Sequence, residues 1–173
     1  RKLFCNQKKF IVFTGKGNNG GDGLVVARLL SQEGREVELV SLYPTYQCSP
    51  EYQSNFLKLP PSIKVSEFNN SINVSSDAVI IDAILGTGIK GELKSKELDA
   101  IIFINNLNQP TISIDIPSGL FADKPADPAK DSIVKADYTL SFQFPKLAFL
   151  FPENEYFAGN WQVLPIGLHP GYI

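Results

Sequence analysis

The sequence is poor in the side chains that most often carry metal and redox chemistry. Its 173 residues include one histidine, two cysteines, one tryptophan and no methionine. Cys5 and Cys48 have neither metal-binding nor redox spacing, so they read as two structural thiols in a reducing cytosol. His169 stands between Leu168 and Pro170 without a partner motif and is expected to be structural or surface-exposed, and Trp161 is expected in the core. Neither sign of charge dominates. Sixteen basic against eighteen acidic residues leave a net charge of −2, which gives no electrostatic footprint for nucleic acid. No apolar stretch approaches the roughly 18 residues that a membrane-spanning helix needs. No secretory signal is visible, and a cytoplasmic setting is expected. The first residues, Arg1-Lys2-Leu3-Phe4, read as the tail of a helix, so a further helical segment is expected ahead of them.

What is present is ordinary globular material, 43% hydrophobic and 20% charged, organised around one unusual stretch. Residues 1–173 are expected to form a single domain, with no linker or repeat. The stretch is Gly15-Lys16-Gly17-Asn18-Asn19-Gly20-Gly21-Asp22-Gly23. It follows the apolar run Phe10–Phe13, which is too short for a helix and reads as a buried parallel strand. It precedes Leu24, Ala27 and Leu30, which share one face at helical spacing. Strand, glycine loop and helix start together form an anion site, because free N–H groups and the positive end of the helix dipole converge there. Gly15, Gly17 and Gly20 also fit the dinucleotide pattern G-x-G-x-x-G. The acid that usually follows the second strand to hold a ribose is missing: the run Val37–Leu42 leads into Tyr43-Pro44.

The remaining chain alternates in the same way. A helix is expected over 50–58, a short strand over 63–65 and a polar loop over 69–76. The buried strand 78–81 runs into Asp82, and a helix is expected over 95–105. The strand 111–114 ends at Asp115-Ile116-Pro117-Ser118-Gly119, and a loop spans 123–131. The alternating run 138–144 reads as an edge or half-exposed strand, and 160–164 as a last one. This alternation predicts an α/β fold: a Rossmann-like three-layer αβα sandwich around a mostly parallel sheet.

Ligands of such sheets bind beyond the carboxyl ends of the strands. Three strand ends deliver polar groups there: Asn18, Asn19 and Asp22, then Asp82, then Asp115 with Ser118. Gly86-Thr87-Gly88-Ile89-Lys90-Gly91-Glu92 is a second glycine loop, in which Lys90 can neutralise a phosphate. Asn19, Asp82 and Ser118 offer only oxygen ligands. With one carboxylate among them, they suit a monovalent cation better than calcium or magnesium. Lys146 follows a strand end and either reaches the crevice or is solvated.

Four stretches in this order, GKGNNGGDG at 15–23, DAILGTGIKGE at 82–92, DIPSG at 115–119 and FPK at 144–146, resemble the NAD(P)H-hydrate epimerases, the YjeF N-terminal domain family. Phe144 departs from the small residue usual before the Pro-Lys pair. The resemblance implies an isomerase that interconverts the S and R epimers of hydrated NADH or NADPH. It implies substrate contacts at Asn18, Asn19, Gly20, Gly21, Asp22, Gly86, Thr87, Gly88, Ile89, Lys90, Gly91, Glu92 and Asp115. It also implies one potassium ion per subunit, held by Asn19, Asp82 and Ser118, and a homodimer or larger oligomer working with, or fused to, an NAD(P)H-hydrate dehydratase. Asp115 is the expected proton-transfer group. Two other readings stay open at this stage: an NAD-dependent dehydrogenase, and a nucleotide-binding module without catalysis.

Overall fold

A computed structural model describes residues 7–89, 91 and 93–167. Its strands are β1 (Lys9–Thr14), β2 (Glu36–Ser41), β3 (Lys64–Glu67), β4 (Ala78–Ala83), β5 (Thr111–Ile114), β6 (Tyr138–Phe142) and β7 (Asn160–Leu164). They form one sheet in the order β3-β2-β1-β4-β5-β6-β7, and every pairing is parallel. Each connection must therefore cross over the sheet, and those carrying helices are α1 (Asn18–Gln32), α2 (Pro50–Phe56) and α3 (Ser95–Asn105). A short α4 (Glu155–Ala158) precedes β7.

The two faces of the sheet hold separate cores. Phe10, Val12, Leu39, Val79 and Ile81 pack against Leu24 and Ala27 of α1 and Tyr52 of α2. The alternate residues Ile11, Phe13, Val40, Ala78 and Ile80 pack against Ala100, Ile101 and Ile104 of α3. This is the period-two division of a strand buried on both sides, and it gives the three layers that the sequence predicts. Tyr52 is fully buried, and its hydroxyl pairs with Thr14 Oγ1 and Ser41 Oγ, each at 3.1 Å. That satisfied polar tip ties α2 to the carboxyl ends of β1 and β2.

Three sequence expectations need correction. The helix expected from Leu24 begins at Asn18, six residues earlier, inside the glycine stretch. Glycine costs about 1 kcal/mol per residue in a helix, but here close packing requires it. A Cβ on Gly20 would lie 2.1 Å from the Gly15 carbonyl oxygen. The strand at Tyr138–Phe142 has the expected alternating exposure but is no edge, because β5 and β7 flank it. Trp161 lies on the edge strand β7 at 38% exposure, stacked on Phe149 with ring centroids 5.3 Å apart, rather than inside a core. Cys48 is a buried free thiol whose pKa burial pushes up, consistent with a structural role. Cys5, Lys90, Glu92 and His169 lie outside the described residues.

Candidate functional site

The carboxyl ends of β1, β4 and β5 open on one crevice of about 480 Å³. Lys16, Gly17, Asn18, Asn19 and Asp22 form one wall, Ile84 to Ile89 another, and Asp115 and Glu97 complete it. Gly17 occupies the N-cap of α1 without a side-chain cap, and the first turn carries no acid. The leading N–H groups therefore have no side-chain cap and no acid of the first turn to compensate them, as an anion site requires. Of the residues expected to touch a ligand, Gly20 and Gly21 do not line the crevice. Their α-carbons face Gly15 and Tyr52, so these glycines set the helix against β1 and α2. Gly91 lines a separate hollow with Lys124 and Lys130.

Beneath the crevice lies a fully buried carboxylate. Asp82 accepts hydrogen bonds from Ser113 Oγ at 2.7 Å, from the Ser118 N–H at 2.9 Å, from the Ile84 N–H at 3.2 Å and from Ser118 Oγ. Burial pushes its pKa up, and these four bonds pull the other way without overcoming it. Ser118 Oγ also accepts from the Leu85 N–H at 2.8 Å, and Asn19 Nδ2 donates to the Leu85 carbonyl at 3.0 Å. That leaves Asn19 Oδ1 buried and without a partner. An orphaned amide oxygen beside a hydroxyl, a backbone carbonyl and a buried carboxylate fits a weakly held monovalent cation. Among the described residues no cluster of three or more His, Cys, Asp or Glu offers the denser charge that other metals draw. Asn19 Oδ1 would give such a cation a free acceptor, and Asp82 and Ser118 would join it by yielding the hydrogen bond between them.

Asp115 sits at the other end of the crevice with a left-handed backbone, φ 66°. Few residues other than glycine adopt this conformation, and it marks strain at functional positions. Its N–H donates to the Leu140 carbonyl at 2.8 Å, and its Oδ1 accepts from the Phe142 N–H at 3.3 Å. The same Oδ1 forms an ion pair with Lys146 Nζ at 2.8 Å, with both side chains largely buried. Lys146 thus reaches the crevice. Asp22 opens at the mouth, where partial desolvation first and the Asp115 charge second raise its carboxyl pKa.

Glu97 and Tyr43 carry no motif, and sequence reasoning missed them. Glu97, third residue of α3, is 5% exposed, and its Oε1 accepts from the Tyr43 hydroxyl at 2.9 Å. Burial, then the Glu97 contact, push the Tyr43 pKa up to about 12, so this hydroxyl remains a donor. Lys16 lies over the Tyr43 ring, 5.1 Å from its centroid. Lys16 had a signal, since it belongs to the glycine stretch itself.

Residues 1–148 match the family model described as YjeF-related protein N-terminus. The chain is 42% identical over 166 residues to an NAD(P)H-hydrate epimerase of Cenarchaeum symbiosum, covering 94% of this chain and 76% of that one. It is 33% identical to a bifunctional NAD(P)H-hydrate repair enzyme of Pyrobaculum aerophilum, covering 98% of this chain and 35% of that one. It therefore spans about a third of that bifunctional relative. The crystal structure of yeast YNL200c superposes with a TM-score of 0.75 at 21% identity, covering 95% of this chain and 68% of that one, which supports the fold.

Proposed function

Because this chain belongs to the YjeF-related N-terminal family, we propose that it is an NAD(P)H-hydrate epimerase, an isomerase acting on hydrated NADH or NADPH. The observation that carries the reading is the pairing of Asp115 with Lys146 on the same crevice as the uncapped start of α1. One end can hold phosphate and the other can move a proton.

The carbon to be inverted carries a hydroxyl and the ring nitrogen. Asp115 takes a proton from Lys146 across their ion pair and gives it to the departing hydroxyl, which leaves as water. The nitrogen lone pair stabilises the resulting cation, and as water returns on the other face its proton passes back to Asp115 and Lys146. Lys146 and the Phe142 N–H fix the Asp115 carboxyl in place. Asp22 adds negative potential that favours the cation. Asn19, Asp82 and Ser118 would hold potassium, one ion per subunit. When bound, the ion supplies positive charge that offsets Asp82 and steadies the loop after β4. The same reading includes a homodimer or larger oligomer in the cytoplasm. It also includes cooperation with an NAD(P)H-hydrate dehydratase, in line with the bifunctional relatives. No described helix is long and apolar enough to cross a membrane.

The test is the interconversion of the two epimers, with the spontaneous rate subtracted. The protein should accelerate it, and Asp115→Asn should bind hydrated cofactor but lose about 100- to 10,000-fold in rate. A wild-type protein that adds nothing to the spontaneous rate would sink the assignment.

A further inference from the structure

The crevice holds a second buried acid that the epimerisation does not use. Glu97 Oε1 is engaged by Tyr43, but Oε2 is buried without any hydrogen-bond partner. A carboxylate oxygen taken out of water and left unpaired is costly, and a donor on a bound molecule would satisfy it. Glu97 lines the crevice beside Lys16, Asn18 and the loop from Gly86. Tyr43, which holds it, comes two residues after β2 ends at Ser41. The carboxylate is therefore anchored to the end of β2, where dinucleotide folds usually place the acid that binds a ribose 2′-hydroxyl. Here that acid comes from the first turn of α3.

The span of the crevice says which ribose this is. In the strand order, β2 and β5 lie three steps apart, with β1 and β4 between them. At ~4.8 Å per step, Asp115 and the Tyr43–Glu97 pair are separated by roughly 14 Å. An extended dinucleotide whose nicotinamide lies at Asp115 and whose phosphates lie over the start of α1 brings its adenosine to Glu97.

We propose that Glu97 accepts a hydrogen bond from the 2′-hydroxyl of the adenosine ribose, so that the protein favours hydrated NADH over hydrated NADPH; this rests on the epimerase reading. A 2′-phosphate has no hydroxyl to donate from that position and brings negative charge against a buried carboxylate. Two lysines flank the pair, Lys16 at 5.1 Å and Lys96 at 5.5 Å from the Tyr43 ring centroid, and Lys96 is also committed to the Leu42 carbonyl at 3.3 Å and to Glu67 at 3.1 Å. The preference therefore rests on the hydrogen bond that only a free 2′-hydroxyl can give to Glu97 Oε2.

The experiment compares kcat/KM for the two hydrates in the wild-type protein, Glu97→Gln and Tyr43→Phe. Wild type should favour hydrated NADH by about tenfold or more, the effect of one charge-assisted hydrogen bond. Glu97→Gln should bring the ratio close to one, mainly by raising KM for hydrated NADH. Tyr43→Phe, which removes the bond that orients Glu97 and leaves its charge, should lower the ratio in the same direction. A merely structural Glu97 would depress both substrates together. Wild type using both hydrates equally, or a ratio unmoved by both substitutions, overturns the inference and leaves the epimerase reading intact. A wild-type protein that accelerates neither epimerisation removes both.

Discussion

At the scale of the residue, the chemistry depends on how three charged side chains are held. Lys146 pairs with Asp115 through one carboxylate oxygen that also takes the Phe142 N–H. Lys146→Met keeps the length of the side chain and removes its charge. It should lower kcat by roughly tenfold or more while the circular dichroism spectrum stays that of wild type, because the group that fixes the proton-transfer carboxyl is lost. Asp22 offers a second test. Its pKa is raised in the fold, so the stability it contributes is fully present below the ordinary carboxylate range and is lost as pH rises through its folded value. Asp22→Asn removes that loss. The melting temperature of the variant relative to wild type should therefore climb from roughly pH 3 towards neutrality, and a constant difference would contradict the sign. Asp115, Asp22 and Lys146 were visible in the sequence as motif residues. The Asp115–Lys146 contact was not, because it depends on β6 lying beside β5. Glu97 had no signal at all: an acid in the third position of a helix is common, and only the fold brings it to Tyr43.

The secondary-structure elements show where local signals suffice and where packing overrides them. The cores of β1, β4 and β5, and α3 in full, were readable because each has one unambiguous hydrophobic period and breakers on both sides. The start of α1 was not, since four glycines between 17 and 23 argue locally against helix. The fold accepts that cost because the helix must approach the backbone of β1 and its exit loop more closely than a side chain permits. Gly20 and Gly17 test this as a pair. Gly20→Ala gains about 1 kcal/mol of helix propensity but puts a methyl 2.1 Å from the Gly15 carbonyl, a backbone contact that only movement of the helix relieves. A net loss of about 1–3 kcal/mol, read from the urea midpoint, is expected. A Cβ on Gly17 meets nothing within 4 Å, so Gly17→Ala should leave the midpoint nearly unchanged. Equal effects at the two positions would refute the packing account.

For the whole molecule, fold class followed from the alternation of strands and helices, but strand order did not, because nothing local says that β1 lies between β2 and β4. That placement brings Asn19 over Ser118 and Asp82 and creates the proposed cation site. A ligand that binds only the folded state raises stability by about 2.7 kcal/mol at a hundredfold excess over its dissociation constant. The melting temperature in potassium chloride should exceed that in lithium chloride at equal ionic strength, and Asn19→Ala should abolish the difference. Identical curves in the two salts would remove the site.

The same strand order has a consequence in time. β1 is made first, but one of its two neighbours, β4, begins only at Ala78, and the floor of the crevice waits for Ser118 and its last charged partner for Lys146. During synthesis, which runs at about 5–20 residues per second, the glycine turn leaves the ribosome several seconds before it has anything to close against. Nascent chains stopped ahead of Asp115 should remain open to protease whether or not nucleotide is added. Protection should appear only once Lys146 has cleared the exit tunnel, so that a ligand can help this fold form only after β6 and the residues that follow it have been made.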